Sequence, residues 1–281
     1  MNGGTPSLIR SVMGSDAGDL TRLSGGQCSE VWSVQPHSSP ALVVKVGTPS
    51  VVEEERFGLE RLRETCTVRV PHLIGTETIG DRGLLIIESL EVGGVPDWPR
   101  FARQLAQLHQ VDVGSRFGFM IDNHLGSTLQ RNTWHDDWPR FNQACRHGPL
   151  LESLALGPED QSLIESALES FPDFLNPDRP SLIHGDLWFG NALTLADGSI
   201  ALIDPAPSHS DAQADLAMMQ LFGGFPDSFF DAYFAESGLQ MEPRRLAAYR
   251  LYHALNHLLL FGGGYLDLVR GEARSVLATD L

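Results

Sequence analysis

Cysteine is scarce in this chain and cannot organise it. The three present, Cys28, Cys66 and Cys145, are odd in number and far apart, and they form neither a CxxC pair nor a Cys/His metal spacing. A disulfide framework is excluded on that count and a reducing compartment is implied. Long apolar runs are missing as well: none approaches membrane-spanning length, and the first residues lack the basic stretch and apolar core of an export leader. The sequence therefore reads as soluble and cytoplasmic, without a membrane as partner. Basic residues are few, with 20 Lys and Arg against 36 Asp and Glu and a net charge of −16. Nucleic acid or an anionic membrane surface calls for clustered cations, so both are excluded as partners. Such acidity suits a cationic or neutral substrate, and equally serves solubility alone. Internal repeats, heptads and low-complexity tails are absent, and so are the phosphate-binding words G-x-x-x-x-G-K-S/T and G-x-G-x-x-G. His253 and His257 stand at the i,i+4 spacing of a zinc helix, but no H-E-x-x-H glutamate lies between them and no third ligand is evident.

What the chain does have is length and apolar content, 281 residues with 42% hydrophobic, enough for two lobes around a cleft. Its most informative stretch is 182–206, LIHGDLWFGNALTLADGSIALIDPA. Two short apolar runs are joined there by a turn-forming Asp197-Gly198 pair, and the stretch carries His184, Asp186, Asn191 and Asp204. Phosphoryl transfer needs a carboxylate beside the acceptor hydroxyl and oxygen ligands for magnesium. Asp186 and Asn191 have the D-x-x-x-x-N spacing of a kinase catalytic loop, in which the Asp acts as base and the Asn reaches a metal. Asp204 ends the run Ile200-Ala201-Leu202-Ile203, where a strand terminus would hold a carboxylate over the same metal site.

Upstream, residues 1 to about 20 read as a loose lead-in or a short helix. Two extended runs then flank a Gly-rich turn in TRLSGGQCSEVWSVQ, and ALVVKV follows with Lys45 inside an apolar strand. A lysine there is costly unless it is paired or reaches a cleft, so Lys45 is a candidate phosphate-binding residue. Ser50 to Glu64 predicts a helix with Glu53, Glu54 and Glu55 as possible partners for that lysine. Val68–Thr78 and Leu84–Leu90 read as strands around a turn, and the Gly- and Pro-rich segment from Glu91 to Pro99 marks a lobe boundary, giving residues 1–91 and 92–281. Phe101 to His109 reads as a helix, with His109 packing or capping rather than catalysing. Residues 117–138 lack a sustained period, and a long, mostly irregular segment in a compact domain is often functional. Asp215 to Pro226 and Arg245 to Phe261 read as helices, the latter buried.

The run HGDLWFGN, with Trp188 after Asp186-Leu187, resembles the signature of the fructosamine kinase (ketosamine-3-kinase) family, relatives of aminoglycoside and choline kinases. The resemblance extends from about Arg22 to about Leu266. It implies an α+β, two-lobed, protein-kinase-like fold, with a small N-terminal antiparallel sheet lobe, a mainly helical C-terminal lobe, and ATP with Mg2+ between them. The E-x-x-G-L word selects Glu55 as the partner of Lys45, and the S-G-G-x-x-S loop assigns Gly25, Gly26 and Ser29 to the phosphates. Kinase likeness assigns the backbone of Glu88, Ser89 and Leu90 to the adenine. The family's FGF, N-x-x-G-x-T and Q-x-N-x-W words bring Asn123, Gln130, Asn132 and Trp134 near the acceptor, and Trp188 would offer its ring to a sugar or an ammonium group.

The resemblance further implies transfer of the γ-phosphoryl group of ATP to the 3-hydroxyl of a fructosamine or shorter ketosamine, on a free amine or a glycated protein lysine. The alternatives are a kinase for another hydroxylated amine, aminoglycoside or choline-like, and a non-catalytic nucleotide-binding protein. One departure stands out. Before Asp215-Leu216-Ala217 the family commonly carries an aromatic pair followed by Gly, Arg and Glu, where this chain has Ser208 to Gln213. Cys28, inside the proposed phosphate loop, is a candidate for reversible oxidation.

Overall fold

Alternating apolar residues in the first ninety positions pair into a single antiparallel sheet in the computed structural model, which describes residues 4–24 and 29–278. Its strands are β1 (Asp19–Arg22), β2 (Glu30–Gln35), β3 (Leu42–Gly47), β4 (Leu73–Ile79) and β5 (Arg82–Glu88), in the order β1-β2-β3-β5-β4. Lys45 lies in the central strand, opposite Val31 of β2 and Leu85 of β5. One face of the sheet packs a cluster of Val34, Val44, Val46 and Leu84 with Ile9 of helix α1 (Thr5–Met13). The lead-in is therefore a helix held by a fully buried isoleucine. Helix α2 (Pro49–Glu64) starts at the Thr48 cap, with proline at its first position, and buries Val52, Leu59 and Leu62 at helical spacing.

Contacts within the chain divide it into two units: residues up to Pro96 together with Leu193–Asp204, and Asp97–Ala192 together with Pro205–Leu281. The sequence reading placed its boundary after Glu91 and had no return of the chain. Residues 193–204 join the first unit because they form a hairpin, strand Ala192–Thr194 against Ile200–Leu202, that binds its backbone. Gly93 donates to the Thr194 carbonyl, Ala196 to that of Glu91, and Leu202 to that of Arg69.

The second unit is mainly helical. Helix α3 (Trp98–Gln110), capped by Asp97, buries Phe101, Leu105, Leu108 and His109 along one face. The long helix Pro243–Phe261 has eleven buried residues, which accounts for its apolar sequence. Strand Ser181–Ile183 pairs antiparallel with Ser208–Ser210. Residues 117–138 are not wholly irregular, because Asn123–Leu125 and Thr128–Gln130 make a short hairpin. Strands of three residues are too short to display a period in the sequence. No described helix is long and apolar enough to cross a membrane.

Candidate active site

In the first unit, Lys45 reaches two carboxylates. Its Nζ is 2.5 Å from Glu55 Oε1 of α2 and also donates to Asp204 Oδ1, so Glu55 rather than Glu53 or Glu54 is the helix partner. Glu53 instead pairs with Arg56 on the helix surface. The Lys45 side chain is 8% exposed, that of Glu55 14% and that of Asp204 35%. Burial alone would lower the lysine pKa, but the two carboxylates outweigh it and raise it above the ordinary value. Burial pushes the Glu55 carboxyl up, against the pull of Lys45. Asp204 adopts φ 55°, a left-handed conformation that few non-glycine residues hold and that clusters at functional positions.

In the second unit, the loop after strand Ser181–Ile183 carries Asp186 and Asn191. Asn191 Nδ2 donates to the Asp186 carbonyl at 2.8 Å and to its Oδ2 at 3.0 Å, which fixes the carboxylate against the loop. Asn191 is 4% exposed. Gly185 turns the chain at φ 85°, and a Cβ there would lie 2.0 Å from the Ala206 carbonyl oxygen. Only glycine fits that approach. Trp188 is 43% exposed and lies across Gly190, where a Cβ would meet the indole at 2.2 Å.

Beneath the loop lies a residue to which the sequence reading gave no role. Asp215, 1% exposed, accepts from the backbone N–H of His184 at 2.7 Å and of Gly185 at 2.9 Å, and from His109 Nε2 at 3.2 Å. His109 Nδ1 in turn is 2.7 Å from the Tyr233 hydroxyl. Burial raises the Asp215 carboxyl, but the bonds from His109 and His184 prevail and hold it below its ordinary value. The carboxylate thus anchors the two peptide groups that precede Asp186. The available signal was the DLA word that contains it.

The amides expected near the acceptor are turned into the protein. Asn123 Nδ2 donates to the Pro207 carbonyl at 2.9 Å, Gln130 Nε2 to Asn123 Oδ1 at 3.2 Å, and the Tyr252 hydroxyl to Gln130 Oε1 at 2.9 Å. Asn132 donates to the Ile121 carbonyl and accepts from Arg146 at 2.7 Å. Trp134 meets His209 edge-on at 5.2 Å between ring centroids. The altered 207–213 segment is buried, and there Asp211 accepts from the Tyr249 hydroxyl at 2.6 Å.

Among the nucleotide assignments, Gly25 and Gly26 lie outside the described residues, as does Cys28. Ser29 is a half-buried bend residue. The backbone N–H groups of Glu88 and Ser89 are committed to the His72 and Ala41 carbonyls, and the Glu88 side chain is bound by Arg69.

Comparison with known proteins supplies the context for this geometry. The model of the fructosamine kinase family matches residues 6–279. A Synechocystis protein designated a ketoamine kinase is 39% identical over 76% of this chain and 74% of its own. The chloroplastic protein-ribulosamine 3-kinase of Arabidopsis thaliana is 34% identical over 90% of this chain and 80% of its own. A Thermobifida fusca structure with a fructosamine-3-kinase designation superposes with a TM-score of 0.86 at 28% identity, covering 98% of each chain. An aminoglycoside phosphotransferase solved with AMP-PNP and hygromycin B shares the fold, with a TM-score of 0.68 at 17% identity over 98% of each chain. This is the protein-kinase-like α+β fold, and the chain belongs to the fructosamine kinase family.

Proposed function

We propose that this chain transfers the γ-phosphoryl group of ATP, with Mg2+, to a sugar hydroxyl of a ketosamine carried on a free amine or a protein lysine. The observation that carries the reading is the Asp186 carboxylate, fixed by Asn191 on a loop anchored through Asp215. Asp186 orients the acceptor hydroxyl and takes its proton as the oxygen attacks phosphorus. The donor chemistry of Asn191 and of Asp204 suits a magnesium ion. The nitrogen of the Asn191 amide is spent on Asp186, which leaves its oxygen as the ligand, and Asp204 adds a carboxylate that is one-third exposed. Both are the hard oxygen donors that magnesium takes. When bound, the ion neutralises charge on the phosphates.

Lys45 supplies a cation to those phosphates, and Glu55 holds it extended. Ser29, with Gly25 and Gly26, belongs to the phosphate loop, and adenine contact from the 88–90 stretch falls to carbonyl groups and the Leu90 N–H. Trp188 offers its exposed face to the sugar or the ammonium. Asn123, Gln130 and Asn132 brace that region from within, and Trp134 shapes it. The kinase names of the relatives and the nucleotide in the aminoglycoside phosphotransferase structure support ATP as donor. We further take the protein to act in the cytoplasm, which the separate thiols Cys66 and Cys145 support.

The test uses Asp186→Asn. Nucleotide binding should persist while turnover on ketosamines falls on the order of a hundred- to ten-thousand-fold. Near-normal turnover removes the base. Phosphorylation of an aminoglycoside or choline, but of no ketosamine, removes the acceptor.

A further inference from the structure

The second unit contains a small, largely apolar cavity, walled in part by Trp138, Ile183 and Tyr252. A few polar residues are set into it, Gln130, Arg146, Ser208, Ser210 and His253, beside Gly185, the residue before Asp186. Its space suits a group the size of a carboxylate rather than a sugar ring. Arg146 is 7% exposed, and among the described residues no carboxylate pairs with it. Its Nη1 donates to the Arg131 and Cys145 carbonyls at 2.7 and 3.0 Å, and its Nη2 to Asn132 Oδ1 at 2.7 Å and Ser208 Oγ at 3.4 Å. Those bonds use its four Nη hydrogens, and the centroid of the Phe141 ring lies 4.6 Å from its Cζ. Asp122 acts on its charge without an ion pair, and a buried cation lacking a directly paired counter-ion is expensive. It sits on a π-helical turn, Gln143–His147, a departure from regular helix that is frequent at functional sites.

Two further groups on the wall are unspent. Ser208 and Ser210 place their hydroxyl oxygens 2.7 Å apart. Arginine only donates, so Ser208 accepts from it, and of the two hydroxyl protons one closes the Ser–Ser bond and the other remains available. His253 is 4% exposed and its Nδ1 has no partner. Burial pushes this imidazole down to about 3, so it is neutral at physiological pH. The wall therefore presents a cation, a spare O–H and an imidazole nitrogen, and no carboxylate lines it.

We propose that this cavity is a carboxylate subsite, which selects ketosamines formed on α-amino acids over those formed on amines without a carboxylate. The inference rests on the ketosamine kinase reading and deepens it. In such an acceptor the sugar and the carboxylate are joined through one nitrogen and one carbon, so a hydroxyl beside Asp186 and a carboxylate beyond Gly185 belong to one small molecule. A ketosamine on a protein lysine side chain lacks that carboxylate.

The experiment compares kcat/KM of the whole protein for the ketosamines of glycine and of methylamine. The wild type should prefer the glycine adduct by about tenfold or more, the scale of one charge-assisted hydrogen bond. Arg146→Gln and Ser210→Ala should each collapse that ratio towards unity, chiefly through KM of the glycine adduct. Ser210→Ala removes only a hydroxyl, so it reports even if the arginine variant fails to fold. Equal use of the two adducts by the wild type overturns the subsite, as does a parallel loss of both in the variants. Turnover of neither adduct overturns the kinase reading itself, an outcome distinct from turnover without preference.

Discussion

Lys45 is held by two carboxylates on an otherwise apolar strand, and its removal would leave both facing each other without a cation. Lys45→Met should therefore destabilise the protein by roughly 3–5 kcal/mol, the usual cost of breaking a buried pair. The double variant Lys45→Met/Glu55→Gln should recover part of that loss, because it also removes the more deeply buried carboxylate. Urea unfolding of the four species gives the coupling, and strictly additive losses would refute it. Two residues of this group were legible because each carries its chemistry locally, a lysine within an apolar run and an Asp at a strand end, whereas the choice of Glu55 among three glutamates came from the E-x-x-G-L word. Asn123, Gln130 and Asn132 show the limit of such reading. The family's words place them near the acceptor, and the structure adds that these side chains are buried and bonded to neighbours, since burial is not written in the identity of an amide.

At the scale of elements, the loop bearing Asp186 is positioned by a helix thirty residues further along the chain. Asp215 lies in the first turn of the helix Gln213–Phe222 and binds two successive peptide N–H groups, so its carboxylate sets where the loop starts. Asp215→Asn puts an amide NH2 where one of those donors needs an acceptor. We expect kcat to fall about a hundredfold, the cost of misplacing a catalytic group by about an ångström. KM for ATP should change little. Steady-state kinetics with both substrates varied distinguishes this from general unfolding, which would lower the active fraction and leave kcat per active site intact. This contact was illegible in the sequence because a side chain binding backbone at long range has no spacing of its own. The three-residue strands at 123–130 escaped for another reason: too few positions to show alternation.

For the whole molecule, the buried histidines of the second unit fix the direction of acid stability. Burial lowers His147 to about 4 and His253 to about 3, below an ordinary value of 6.5. Between those values and 6.5 the unfolded chain binds protons that the folded chain refuses, so stability falls as pH falls through that window. The slope is up to about 1.4 kcal/mol per pH unit for each histidine. Asp211 and Glu55, whose carboxyls burial raises, work the other way and offset part of the decline. Thermal unfolding from pH 7 to 4 should show a falling midpoint, and His147→Gln should flatten the decline. An unchanged slope in that variant would assign the acid sensitivity elsewhere.

The hairpin at 193–204 has a consequence for synthesis. A ribosome that has released residue 96 has delivered the whole five-stranded sheet, yet neither the strands that bind Gly93 and Arg69 nor the second carboxylate for Lys45 exists yet. At about 5–20 residues per second, these arrive some 5–20 seconds later. Through that interval the nascent first unit carries a lysine with only one of its two carboxylate partners, and unpaired backbone groups. Its completion is timed by the translation of the second unit's first half.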